Sequence, residues 1–135
     1  MTHLPKYPTC FVCGPENDRG LKQTFYSNGD DSVYTEIEPE ANLCSYTGIL
    51  HGGIVATLLD ETMGWTAFDR TQRYFLTAEM TIRYKESVLI GKKYIVKAKL
   101  GILKRGFYTA TGEVVDTDGK VYATGSGKYF VTEEQ

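Results

Sequence analysis

At 135 residues, 41% hydrophobic and 24% charged, the chain is long enough for one domain with a sizeable core and has the composition of an ordinary globular protein. A net charge of −2 excludes the basic excess of a nucleic-acid binder, and no apolar run approaches the roughly 20 residues that cross a bilayer, so neither nucleic acid nor membrane is an expected partner. Three cysteines, an odd count, argue against a disulfide framework, and MTHLPKYPTC has no basic stretch followed by an apolar one, so the expectation is a reducing, cytoplasmic setting without a secretory signal.

In chain order, residues 1–20 are rich in Pro, Gly and Asn and read as an irregular N-terminal segment that carries Cys10 and Cys13 in CFVCG; residues 21–135 read as a single domain. LKQTFYS (Leu21 to Ser27) and SVYTEIE (Ser32 to Glu38) are strand candidates. NGDD between them suits a tight turn, because Asn-Gly readily takes positive φ. In the second strand Val33, Thr35 and Ile37 share one face and Tyr34, Glu36 and Glu38 the other, the alternation of a half-buried strand.

Residues 52–68 are the one long helix. Placed at about 100° per residue, Ile54, Val55, Ala56, Leu58, Leu59, Met63, Trp65 and Ala67 cover an arc of about 220°, wider than the stripe of a surface helix. The helix should therefore be enclosed on most sides.

Beyond it the signal is all strand. YFLTAEMTIRY puts Leu76, Ala78, Met80, Ile82 and Tyr84 on one face and Thr77, Glu79, Thr81 and Arg83 on the other. KYIVKAKLGIL turns Tyr94, Val96, Ala98, Leu100 and Ile102 inward, with Lys97 and Lys99 outward. GFYTATGEVVD and KVYATGSGKYFV follow; KRG before the first and DTDG between them read as hairpin junctions. Gly125 and Gly127 share a face that something approaches closely. Two strands, a buried helix and four hairpin-connected strands predict an α+β domain in which a curved antiparallel sheet wraps one long central helix. A small barrel with a helical lid accommodates the strands but asks for a less apolar helix.

The stretch GILHGGIVATLLDETMG concentrates the chemistry. The first N–H groups of a helix have no internal partner, and the helix dipole adds positive charge there. Gly52 and Gly53 carry no side chain to keep a ligand from those groups, which suits an oxygen that gains negative charge; the alternative is that they let helix and strand pack closely. Asp60 falls at the margin of the apolar arc, with Ala56 and Gly64 one turn away on either side. It sits in a notch for a substrate, with Met63, Gly64 and Gly53 as candidate contacts, or it is an Asp satisfied by a hydroxyl or a backbone group. Glu61, the rival acid, lies in a more crowded position between Thr57 and Trp65. His51 either positions the loop and a carbonyl or caps the segment.

Gly52 and Asp60 are separated by about 12 Å along one helix. A general base and an oxyanion donor both work within about 3 Å of one reacting centre or its water. One copy of the helix cannot supply both, whereas two antiparallel copies side by side can. If both groups act on one carbonyl, the protein is at least a dimer with two equivalent sites between subunits.

GILHGGIVATLLDETMG followed by TAEMTIRYKESVLIGKKYIVKAKL resembles the hot-dog-fold acyl-CoA thioesterases, most of all the phenylacetate-pathway type and its human thioesterase-superfamily relatives, over roughly Tyr26 to Val131. The resemblance implies a hot-dog fold, a homodimer that often pairs into a tetramer, and an acyl-CoA substrate. It implies Asp60 as general base or nucleophile, and the Gly52 N–H polarising the thioester carbonyl with His51 beside it. Thr77 falls where relatives carry a hydroxyl that orients the water or the acid. Ser45 falls where several relatives carry an Asn that assists the water or the carbonyl; its hydroxyl is shorter and lacks the amide's paired donor and acceptor. A thiolate leaves readily, so no strong acid, metal or redox cofactor is required, coenzyme A being part of the substrate.

A lone C-x-x-C is a weak zinc signal without a second pair, even with Cys44, His3 and His51 elsewhere in the chain; Cys10 and Cys13 read as reduced structural residues and no metal is expected. Among the basic residues Lys22, Arg83, Lys85, Lys104, Arg105 and Lys128, the ILKRG loop with Lys104 and Arg105 is the expected contact for the coenzyme A phosphates. Trp65, Phe68 and Tyr74 suit either an aryl acyl group or the core. Two rival functions stand beside hydrolysis. A non-catalytic acyl-CoA or lipid-binding module needs the pocket but not Asp60. An enoyl-CoA hydratase or dehydratase needs a positioned His–acid pair, which His51 and Asp60 are too far apart in sequence to form within one subunit.

Overall fold

The long apolar helix is present as α1, Gly52–Thr71, in a computed structural model that describes residues 2–104 and 106–132. It stops at Gln72, which takes the left-handed conformation and donates its N–H to the Phe68 carbonyl. Around it run β1 (Thr2–His3), β2 (Tyr26–Ser27), β3 (Ser32–Ile37), β4 (Phe75–Tyr84), β5 (Tyr94–Lys104), β6 (Phe107–Asp116) and β7 (Val121–Val131), with a one-turn 3-10 helix at Ala41–Leu43. The strands form one antiparallel sheet in the order β1-β2-β3-β5-β6-β7-β4. β5 pairs antiparallel with β6 and β6 with β7, the latter two joined by DTDG as expected; the KRG junction includes Arg105, which lies outside the described residues.

Val33, Thr35 and Ile37 of β3 and Tyr94, Val96, Ala98 and Leu100 of β5 are buried, as their alternation predicts. Of these, Ile37, Tyr94, Val96 and Ala98 meet Leu58, Leu59 and Met63 of α1 in a core completed by Val114, Ala123 and Tyr129. Burying a side chain such as Leu58 or Leu59 contributes about 1.5–3 kcal/mol.

From Thr62 to Phe68 α1 is enclosed on every side, with no break in burial. One side is the sheet. The other is the N-terminal segment, whose Leu4, Val12 and Cys13 pack with Phe25 and Val33 on Trp65 and Phe68. That segment is irregular over most of its length, yet it belongs to the core, and Thr2–His3 adds a short strand that the sequence reading missed. Trp65, Phe68 and Tyr74 stack edge-on and tilted with one another in this cluster, so their aromatic surface is core. The first half of α1 lacks such cover: Gly53 is exposed, and Gly52, Ile54, Ala56 and Thr57 are only half-buried.

In β5 and β4 strict alternation fails for one reason. In β5, Gly101 and Ile102 together lie opposite Thr109, an extra residue that reverses the phase beyond Leu100. Ile102, predicted inward, is 64% exposed. In β4 the ladder slips between Thr77 and Glu79, with Ala78 the extra residue. Phe75 and Thr77 face α1 before the slip, and Met80, Ile82 and Tyr84 face it afterwards. Leu76, predicted on the Met80 face, is therefore turned out and 62% exposed. β4 ends the sheet, bonded to β7 alone, and only Phe75, Met80 and Ile82 along it are even half-buried.

Candidate active site

Asp60 leaves the middle of α1 toward β4 and β7. Thr77 Oγ1 donates a hydrogen bond to Asp60 Oδ1 at 2.7 Å, and the Tyr129 hydroxyl, 3.1 Å away, donates to the same oxygen and to the Asp60 carbonyl. Among the described residues Oδ2 takes no protein hydrogen bond, and the side chain is half-buried. One carboxylate oxygen is thus anchored and the other is open to a ligand or water. The irregularity at Ala78 matters here, because without it Thr77 would point away from the helix.

Tyr129 is the site residue that sequence reasoning missed. It is fully buried, and burial together with the Asp60 charge pushes its hydroxyl pKa up, so it remains a donor. Its signal was Gly127, two residues before it on the same face. The Tyr129 ring lies back over Gly127, where a Cβ would come within 2.7 Å of the ring and hydroxyl. The close approach expected at Gly125 is that of Ile82 and Met63.

Glu61 points the other way. Its Oε2 accepts from Trp65 Nε1 at 2.8 Å, and its Oε1 lies 3.8 Å from Cys10 Sγ. Burial pushes this carboxyl up to about 7, against the pull of the Trp65 bond and with a contribution from the Asp60 charge. Two adjacent acids therefore occupy unlike environments, and only Asp60 has a hydroxyl partner on the edge strand.

The notch beside Asp60 is narrower than predicted. Gly64 is filled by the Phe75 ring, which any Cβ there would overlap, and Met63 is fully buried against the sheet. Neither offers a surface to a substrate, because the ring and the sheet occupy that space; Ala56 is the small neighbour that stays half-exposed. Gly64→Ala should accordingly cost about 1–3 kcal/mol of stability, read as a lower urea midpoint, as Phe75 is driven out of its seat.

At the start of α1, His51 is the cap. Its Nδ1 accepts the Gly53 N–H at 2.8 Å, and its carbonyl accepts from Ile54 and Val55 at 2.9 and 3.1 Å. The Gly53 N–H, predicted as a substrate contact, is thus already used. Gly52 is different: among the described residues its N–H has no acceptor, while its carbonyl takes the Tyr84 hydroxyl at 2.6 Å. Gly52 opens on a cleft of about 400 Å³ that it shares with Ser45, Tyr46, Tyr84 and Lys85. His51 and Gly53 open on a second cleft of about 360 Å³, with Asn42 and Thr57. Lys85, not Lys104, borders the Gly52 cleft; Lys104 is exposed at the end of β5, and Arg105 lies outside the described residues.

The fold therefore gathers two half-sites on one chain: Asp60, Thr77 and Tyr129 at mid-helix, and Gly52 with Ser45 and Lys85 at its tip. It does not join them, since eight residues of helix hold them about 12 Å apart.

A family model described as thioesterase superfamily matches residues 47–123. The chain is 32% identical over 117 residues to acyl-coenzyme A thioesterase 13 of Mus musculus, a match that spans 82% of this chain and 81% of that protein. It is 24% identical over 107 residues to acyl-coenzyme A thioesterase THEM4 of Rattus norvegicus; that match spans 79% of this chain but 46% of the relative, about half its length. In three dimensions it resembles the E. coli PaaI protein from the phenylacetic acid degradation operon, with a TM-score of 0.77 over 89% of this chain and 88% of that one; at 17% identity this is a likeness of fold.

Proposed function

The chain belongs to the thioesterase superfamily and has the hot-dog fold, and from that premise we propose that it is an acyl-CoA thioesterase whose two half-sites meet across a homodimer. The observation that carries this reading is the Asp60 carboxylate, anchored on one oxygen by Thr77 and Tyr129 and open on the other. The open oxygen takes a proton from water as the water oxygen bonds to the thioester carbon, or it attacks that carbon itself. The carbonyl oxygen gains charge against the Gly52 N–H of the partner subunit. The C–S bond then breaks, and the coenzyme A thiolate leaves and is protonated; where Asp60 itself made the new bond, water then hydrolyses the acyl–Asp60 anhydride, freeing the acid and restoring the carboxylate. Lys85, beside Gly52, is placed better than Lys104 to meet the phosphates, while Ser45 in the same cleft supplies a hydroxyl to the carbonyl or the water. No metal or redox group enters these steps.

Two features support the dimer. Among the described residues β4 is an outer strand with one edge unpaired, and it carries Thr77. The first half of α1, unlike the second, leaves Gly53 exposed and Gly52, Ile54, Ala56 and Thr57 only half-buried. A second copy lying antiparallel along this side brings its helix tip toward Asp60 and covers both surfaces. Such dimers can pair further into tetramers. Hydration of an enoyl group finds no support, since His51 is spent on the cap and His3 packs on Tyr26. Among the described residues no helix is long and apolar enough to cross a membrane, and the proposed setting is the cytoplasm.

Free-thiol release from a panel of acyl-CoAs of varied length and aromaticity tests the activity; no turnover of any member by a folded dimer overturns it. Thr77→Ala and Tyr129→Phe are each expected to lower kcat about tenfold with little change in KM, because each removes one bond to Asp60. The double variant should fall short of the product of the two losses, as both bonds hold the same oxygen.

A further inference from the structure

Spacing alone leaves Cys10 and Cys13 with too few companions for a metal, but the fold supplies one. A ligating atom from each of Cys10, Cys13 and Glu61 lies within 4.8 Å of the others. In a tetrahedral zinc site, with Zn–S of about 2.3 Å and Zn–O of about 2.0 Å, a sulfur and an oxygen ligand stand about 3.5 Å apart. Cys10 Sγ and Glu61 Oε1 are 3.8 Å apart, so an ion fits between them after a small adjustment. The carboxylate is already aimed: Trp65 Nε1 holds Oε2 and leaves Oε1 toward the sulfurs, the kind of outer contact that orients a ligand. The CFVCG turn is held as well. The Gly14 N–H donates to the Cys10 carbonyl at 2.8 Å, and a Cβ on Gly14 would lie 2.5 Å from the Pro8 carbonyl and the Cys10 nitrogen, so only glycine closes the turn. Cys13 is buried, and among the described residues no Lys, Arg or His forms an ion pair with Glu61. The hydrolytic steps above use none of the three.

We propose that Cys10, Cys13 and Glu61 hold a Zn²⁺ ion that clasps the N-terminal segment to the central helix, with water in the fourth position. Two thiolates and a carboxylate select zinc over the hard cations Mg²⁺ and Ca²⁺, and the two thiol protons pass to solvent as the metal–sulfur bonds form. The site lies on the buried side of α1, away from Thr77, and its role is structural. It stands whether or not the chain hydrolyses thioesters.

The test uses the full chain purified under reductant without chelator. Elemental analysis should find about one zinc per chain, and the stripped protein loaded with Co²⁺ should show thiolate-to-cobalt charge transfer in the near ultraviolet. Cys13→Ser should remove about half of that band, and Glu61→Gln should weaken Co²⁺ binding at least about tenfold. Chelation should lower the melting temperature by about 5 °C or more. A measurement on the unaltered protein guards against misfolded variants: exposed Cys44 should react with a thiol reagent at once, and Cys10 only after chelation. Zinc below about 0.1 per chain with no charge-transfer band, an unchanged affinity in Glu61→Gln, Cys10 reactivity indifferent to chelator, or a Cys10–Cys13 disulfide in the reduced preparation would each overturn the assignment.

Discussion

Asp60→Asn is expected to lower kcat for thioester hydrolysis about 10³-fold while the protein stays folded and still binds acyl-CoA. Asparagine has nearly the shape of aspartate, and its Oδ1 still accepts from Thr77 and Tyr129, so the local packing is kept. What it loses is the open oxygen, since an amide neither takes a proton from water nor attacks a thioester. The loss should appear in kcat with little change in KM, because the carboxylate acts on the reacting centre and not on the coenzyme A handle. Glu61→Gln is the matched control. It alters the neighbouring acid, which faces Trp65 and Cys10, and should leave kcat within about threefold of the original. Free-thiol release under saturating substrate measures both. Equal rates for Asp60→Asn and the unaltered protein would sink the assignment of Asp60; ligand binding without turnover in either would favour the binding module.

The outline of this site was legible because it rests on short-range periodicity. The wide apolar arc of residues 52–68 announced an enclosed helix, and the Asp60 carboxylate at the margin of that arc marked the candidate site. What escaped was the set of features that long-range packing decides. The extra residue at Ala78 leaves no mark in LTAEMT, so strict alternation sent Thr77 away from the acid it bonds, and only the family resemblance put its hydroxyl beside that acid. Gly64 looked like room for a ligand, but room on a helix is a property of what lies opposite, and there it is the Phe75 ring. Tyr129 drew no reading of its own in KVYATGSGKYFV, where only the bare face at Gly127 marked the space that its ring fills. Glu61 could not be joined to CFVCG from spacing, because long-range packing on Trp65 and Phe68 is what brings the N-terminal segment onto the helix.

Gly52→Pro is expected to lower kcat about 10²- to 10³-fold through the loss of a single N–H. Proline has no amide hydrogen, yet the first position of a helix tolerates it best of all. His51, with φ −57° and ψ 132°, already holds the extended conformation that a residue before proline prefers. The helix should form as before, which circular dichroism checks, while the donor that would face the thioester oxygen is gone. Gly52→Ala keeps that donor, and its Cβ would lie 3.6 Å from Tyr84, an ordinary contact, so its rate should stay within about threefold. The two disabled chains then decide where the site lies. If each site takes Asp60 from one subunit and Gly52 from the other, a mixed dimer of Asp60→Asn and Gly52→Pro chains has one intact site and one doubly disabled site. Unfolding and refolding an equal mixture makes half the dimers mixed, each with one of its two sites restored, so activity should recover to about a quarter of the original. If both groups served one subunit, every site in the mixture would carry one lesion and nothing would be regained.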